Sequence, residues 1–186
     1  FLEIKKKDIF EKKLKNKIYF LNFNYKFKMA FEKISKKSKS YIDKCFQEGL
    51  SILNRGLSDI VVNGPVSKKH FLDNKYPGIT EYIFNKSKKK LSKRPVMLIF
   101  NQKFSVSPIT THIPIKEVSK KLNKNLIISN IKTINDFYLK KLKIKPRIAT
   151  LGLNPHCETK SKINEENKYI LPAIKKLKKE KINVNG

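Results

Sequence analysis

Short β-rich apolar runs alternate along this 186-residue chain with longer stretches whose apolar residues recur at helical spacing, and that alternation confines it to α/β architectures. From Ser40 the residues Tyr41, Ile42, Cys45, Phe46, Leu50 and Leu53 mark one helix face, and Gly56 supplies a C-terminal stop. Ile60-Val61-Val62 then reads as a short buried strand feeding a Gly-Pro turn and a helix from Lys68 to Asp73. A helix over Thr80 to Lys90 follows, then strands over Val96 to Phe100 and Phe104 to Thr111 with a hairpin turn at Asn101-Gln102-Lys103. One helix starts after Pro114, and a longer one carries Ile127, Ile131, Ile134 and Tyr138 on a shared face ahead of a strand from Arg147 to Leu153. Asn164 can cap the last helix, with Glu165 and Glu166 in its first turn and Pro172 kinking or delaying it. The sum is a mostly parallel sheet with helices around it.

The segment before Ser40 carries Ile18, Tyr19, Phe20, Leu21 and Phe23, enough for a strand but with no evident partner nearby. Residues 1–39 therefore read as an N-terminal remnant, and residues 40–186 as an α/β catalytic region truncated at its C-terminus. No apolar run approaches the roughly 18 residues that a membrane-spanning helix needs. Two cysteines, Cys45 and Cys157, form no CxxC pair, which suits a reduced, intracellular protein.

A net charge of +28 invites a nucleic-acid reading. Its composition argues otherwise. Among 43 basic residues only Arg55, Arg94 and Arg147 are arginine, and base and phosphate recognition favours the planar arginine fork. Lysine scattered over solvated faces such as 140–145 and 175–181 fits a compositional bias better than a binding groove, so no specific nucleic-acid partner is expected. Neither GxGxxG nor a P-loop is present, which excludes a standard dinucleotide fingerprint.

Two imidazoles stand at strand exits, the place where open α/β sheets bind ligands: His112 after the Phe104 to Thr111 run, and His156 after the run ending at Leu153. Their wide separation in sequence rules out a zinc-finger loop, so a shared metal would have to be assembled by the fold. From spacing alone, lone histidines are more often structural. The words around them carry more. Val62-Asn63-Gly64-Pro65-Val66-Ser67-Lys68, Pro77-Gly78-Ile79-Thr80-Glu81-Tyr82, Thr110-Thr111-His112-Ile113-Pro114 and Gly152-Leu153-Asn154-Pro155-His156 follow one another in an order that resembles the 4-hydroxythreonine-4-phosphate dehydrogenase family, from about Ser40 to Gly186.

That resemblance implies an α/β/α sandwich similar to the isocitrate and isopropylmalate dehydrogenases. It also implies an NAD-dependent, divalent-metal-dependent oxidation and decarboxylation of 4-phosphooxy-L-threonine to 3-amino-2-oxopropyl phosphate in pyridoxine 5'-phosphate biosynthesis. His112 and His156 become two of three histidine ligands to zinc, magnesium, cobalt or manganese, in a site shared between the subunits of a cytoplasmic homodimer, with the third histidine and the nicotinamide site beyond Gly186. The chain alone is then expected to be inactive. Thr80 matches a substrate-binding position, and the residue before it, a histidine in the family, is here Ile79, which can neither donate a hydrogen bond nor carry charge. Thr80 also suits an ordinary helix N-cap. Lys68 could meet the substrate phosphate as a point charge, while His70 is expected at the solvent and Cys157 as a packed thiol. The departure at Ile79 leaves room for a related dehydrogenase of another phosphorylated hydroxy acid. A basic RNA-associated protein is the reading from a different class, against which the lack of arginine clusters counts.

Overall fold

The structure is a computed structural model that describes residues 1–11, 14, 16–87, 94–154, 156 and 164–186. The chain divides into two compact units, Phe1–Leu91 and Ser92–Gly186, each with its own core. It is a mixture of helices and short parallel strands, as the alternation of patterns predicts.

Unit 1 begins with a parallel pair, β1 (Leu2–Glu3) and β2 (Tyr19–Phe20), so the partner the sequence did not reveal is the N-terminus itself. Between them lies α1 (Lys6–Glu11), tied to α2 (Lys39–Asn54) by a Lys6–Glu48 ion pair and by the Arg55 guanidinium 3.8 Å above the Phe10 ring. Phe46 of α2 stacks on Phe71 of α3 (Lys68–Phe71), and both meet the edge of Tyr82 from α4 (Ile79–Lys86), with ring centroids 4.9–5.6 Å apart. These rings, with Leu72 and the half-buried Ile42, Val66, Tyr76, Ile79 and Ile83, are the core of the unit. The buried Tyr82 hydroxyl donates to Asp43, and burial first, then that carboxylate, pushes the phenol well above its usual range.

One expected strand does not form among the described residues: Ile60 to Val62 joins no ladder, Ile60 bonds to the Ser58 hydroxyl instead, and Val62 is 89% exposed. β-branched residues favour a strand there, yet a strand needs a partner ladder that periodicity cannot supply.

Unit 2 is a strand–helix–strand crossover packed on a second helix. β3 (Ile148–Ala149) pairs in parallel with β4 (Val184–Asn185) in the register Ile148–Val184 and Ala149–Asn185, and Thr150 adds one more bond, its N–H donating to the Asn185 carbonyl at 2.7 Å. The expected strand from Arg147 to Leu153 is thus reduced to its first residues. The connecting helix opens at Asn164, whose side chain accepts from the Asn167 N–H at 2.8 Å, the cap the sequence predicts. Its first turns, Glu166–Ile170, are π-helical, with the Leu171 N–H reaching back to the Glu166 carbonyl, and α7 (Leu171–Lys179) follows with Pro172 at its start. Proline lacks the N–H an α-turn would use and crowds the preceding turn, and the widened π-turn accommodates it without a break.

Before this crossover, α5 (Ile115–Lys121) precedes α6 (Lys124–Phe137), which is capped by Asn123. Ile127, Ile128 and Ile131 of α6 close on Ile170, Ala173, Ile174, Leu177 and Val184, while Ile134 and Tyr138 are only half-buried, so the buried stripe is centred nearer the N-terminus than the predicted face. The expected hairpin survives as a single antiparallel bridge, Ile99–Val106, docked on the end of α6 by the Tyr138 hydroxyl donating to Ser105 at 2.9 Å. The lysines of 140–145 and 175–181 are solvent-exposed as expected, whereas the run at 88–93 lies outside the described residues.

Candidate active site

His156 lies in unit 2 beyond the carboxyl end of β3, between that strand and the helix that opens at Asn164. This is where parallel βαβ geometry collects backbone N–H groups and ligands. Three hydrogen bonds shape that loop. The Leu153 and Asn154 N–H groups both donate to Glu166 Oε1, at 2.9 and 3.1 Å, and the His156 N–H donates to Asn154 Oδ1 at 3.0 Å, an Asx turn. The hydrogen bond from Asn154, with Glu166's own N–H and the Leu153 N–H beside it, holds the Glu166 carboxyl below the usual glutamate range against the opposing effect of burial. The imidazole is exposed and free to meet a ligand.

His112 sits in the turn ahead of α5 and is also exposed. Its φ is +58°, in the left-handed region that histidine tolerates better than most side chains but still at a cost. A strained non-glycine residue in a loop is a recurrent mark of functional positions. Among the described residues no group of three or more His, Cys, Asp or Glu side chains gathers to hold a metal ion. Cys157, next to His156, lies outside the described residues.

The remaining candidates belong to unit 1. Lys68 is exposed at the start of α3, preceded by Ser67, whose hydroxyl does not cap the helix but pairs with His70 Nδ1 at 2.8 Å. His70 is therefore half-buried and hydrogen-bonded, not at the solvent as the sequence suggested. Thr80 is exposed in the first turn of α4, and the N-cap is Gly78 in an extended conformation, so the capping role proposed for Thr80 does not apply. Ile79 packs against the aromatic core. An isoleucine there gains burial that a polar side chain would forgo, and its side chain is committed to packing.

Glu166 and Asn154 escaped the sequence reading. Glu166 was legible only as a helix-dipole residue, because its partners lie across a loop, and the one usable sign was an acid two residues past a capping Asn on a helix that follows a strand exit. Asn154 had the Asx-turn signature in plain view, Asn followed by Pro.

Comparison with known proteins identifies the family of the chain. The family model described as "Pyridoxal phosphate biosynthetic protein PdxA" matches residues 1–186. A 4-hydroxythreonine-4-phosphate dehydrogenase from Sulfurihydrogenibium sp. (strain YO3AOP1) is 33% identical over 178 residues, covering 92% of this chain and 53% of the relative. One from Wigglesworthia glossinidia brevipalpis is 38% identical over 133 residues, covering 69% of this chain and 39% of the relative. A crystal structure of a 4-hydroxythreonine-4-phosphate dehydrogenase from Burkholderia phymatum superposes with a TM-score of 0.75 at 22% identity, over 100% of this chain and 57% of that one, a likeness of fold. The chain spans about half the length of the curated relatives it matches. With a family match running its whole length, the chain belongs to the family of the pyridoxal phosphate biosynthetic protein PdxA.

Proposed function

We propose that the protein serves as a 4-hydroxythreonine-4-phosphate dehydrogenase, oxidising and decarboxylating 4-phosphooxy-L-threonine to 3-amino-2-oxopropyl phosphate with NAD, in the cytoplasm and as a homodimer. The observation that carries this reading is the clamped loop that delivers His156 at the carboxyl end of β3. The relatives' name, 4-hydroxythreonine-4-phosphate dehydrogenase, supports the dehydrogenase class and the substrate.

The chemistry of the two imidazoles suits a divalent cation. Imidazole is the commonest side-chain ligand for zinc, cobalt and manganese, and both His112 and His156 are exposed on loops with no competing bond to the ring among the described residues. When bound, such a cation would supply polarisation of the substrate's hydroxyl oxygen, and NAD would serve as the hydride acceptor. The chain's own share is orientation: the Asx turn and the Glu166 clamp fix where the His156 ring starts, and the left-handed turn at His112 fixes the other. Thr80 Oγ1 can donate to, or accept from, the polar end of the substrate, and Lys68 can offset its phosphate charge.

A second reading stays alive through one observation. Ile79 is packed into the unit 1 core, so the side chain at the position of the family histidine offers the substrate nothing polar. A related phosphorylated hydroxy acid would then be accepted as readily.

The decisive measurement is NADH formation on a panel of phosphorylated hydroxy acids, using this chain alone and the same chain extended to the length of its relatives. The extended protein should turn over 4-phosphooxy-L-threonine, with His112→Ala and His156→Ala each removing most activity while circular dichroism stays native. The chain alone should give none. Full turnover in both histidine variants would exclude the metal role, and turnover of a different acid alone would select the second reading.

A further inference from the structure

Glu166 is 7% exposed, one of few buried charged residues in a chain whose acids otherwise sit at or near the surface. Burying a carboxylate is costly unless donors compensate it. Its Oε1 has two, the Leu153 and Asn154 amides, and both lie past the end of β3, where the ladder to β4 has stopped. Its Oε2 is buried with no hydrogen-bond partner among the described residues. An acid serving only the helix dipole could keep contact with water, as the half-buried Glu117 does in the first turn of α5.

We propose that Glu166 is a positioning residue for His156: its carboxylate clamps the amides of Leu153 and Asn154, Asn154 then anchors the His156 amide, and the imidazole is presented in one direction. The inference rests on His156 being a metal ligand. Each bond in the relay has ordinary N–H···O length and a backbone donor, so Glu166 and Asn154 are its side-chain members. Ligand orientation by a neighbouring carboxylate is a general way of tightening a metal site.

The test compares Glu166→Ala, Glu166→Gln and Ile174→Val in the chain extended to the length of its relatives. Two quantities are read: hydrogen exchange at the Leu153, Asn154 and His156 amides, and Co2+ binding followed through the His156 ring resonances. Glu166→Ala should speed exchange at Leu153 and Asn154 at least about tenfold and weaken cobalt binding about 10- to 100-fold. Glutamine keeps an oxygen that accepts from both amides and should restore most of each. Ile174→Val loosens the same helix through its core face and should change neither. Unaltered exchange and affinity in Glu166→Ala overturn the proposal, as does a glutamine variant as impaired as the alanine. If the unsubstituted chain takes up no cobalt while Glu166→Ala still frees the loop, the metal reading fails and the clamp stands.

Discussion

The two units solve the same problem, making a core from short elements, with opposite chemistry. Unit 1 gathers aromatic rings around a buried phenol and borders them with lysine–carboxylate pairs: Lys36 and Lys39 on Asp73, and Lys86 on Asp43. Unit 2 gathers aliphatic side chains around Leu177 and Ala173, both fully buried, and places its carboxylate among backbone amides. The contrast teaches where polar groups can be afforded. Rings with wide faces tolerate a hydroxyl at their edge, whereas the aliphatic unit buries Asn130, Asn164 and Glu166 and bonds the last two, at the helix start, to backbone amides.

Core truncations should break the contrast most severely. Phe71→Ala should destabilise unit 1 by about 3–5 kcal/mol, and Leu177→Ala unit 2 by about 2–5 kcal/mol. Thermal unfolding of both variants, followed by tyrosine fluorescence and by methyl resonances, should show each substitution lowering the transition of its own unit. A single shared transition in both would mean that the cores are not separate.

Gly186→Ala tests the seam of unit 2, since an added Cβ would lie 2.3 Å from the Thr150 carbonyl oxygen. Such an approach forces the end of β4 away from β3, so the Thr150 N–H should lose exchange protection. Gly56→Ala in unit 1 meets no neighbour within 4 Å, and its cost, about 1–2 kcal/mol, comes from the left-handed φ of +73° alone.

Smaller still is the polar edge of the ring cluster. Tyr82→Phe removes the hydroxyl that donates to Asp43, and because Lys86 still faces that carboxylate the loss should be about 1 kcal/mol by chemical denaturation.

Acid separates the units by salt. Asp73 is held near 2 by hydrogen bonds from Lys36 and then Lys39, and Glu166 is lowered mainly by backbone amides. Both folded values lie below the unfolded ones, so each group stabilises above its unfolded pKa and loses that contribution as pH falls, for Asp73 from about 4 down through about 2. Molar salt should screen the exposed lysine pairs and flatten the acid loss in unit 1, leaving that of unit 2 nearly intact. Equal salt sensitivity would show that Glu166 is held by distant charge. Last, His112→Gly should gain up to about 1 kcal/mol by relieving the positive φ while deleting one imidazole, separating stability from metal binding at one position.

Helix positions were legible because they are written locally: Phe46 and Leu50 on one face, Asn164 as a cap, Gly56 as a stop. Strands were legible only as apolar runs. Ile60 to Val62 and Ile148 to Leu153 look alike in sequence, and what distinguishes them is whether a partner such as Val184 arrives from far along the chain. The site followed the same division. His156 announced itself by its neighbours, but Glu166, the residue that holds its loop, is related to it through space and through the phase of a helix. Ile79, read as a missing contact, proved to be a core residue as well.

That phase depends on the wide turn ahead of Pro172. In an unbroken α-helix each residue advances about 100°, so one residue deleted between Glu166 and Ile170 would restore ordinary winding and swing Glu166 roughly that far around the axis from Ala173, Ile174 and Leu177. The helix would remain anchored to its core and release the strand exit. Length in this turn works as an angular setting, and a single-codon deletion there would leave a protein that folds but aims its imidazole elsewhere.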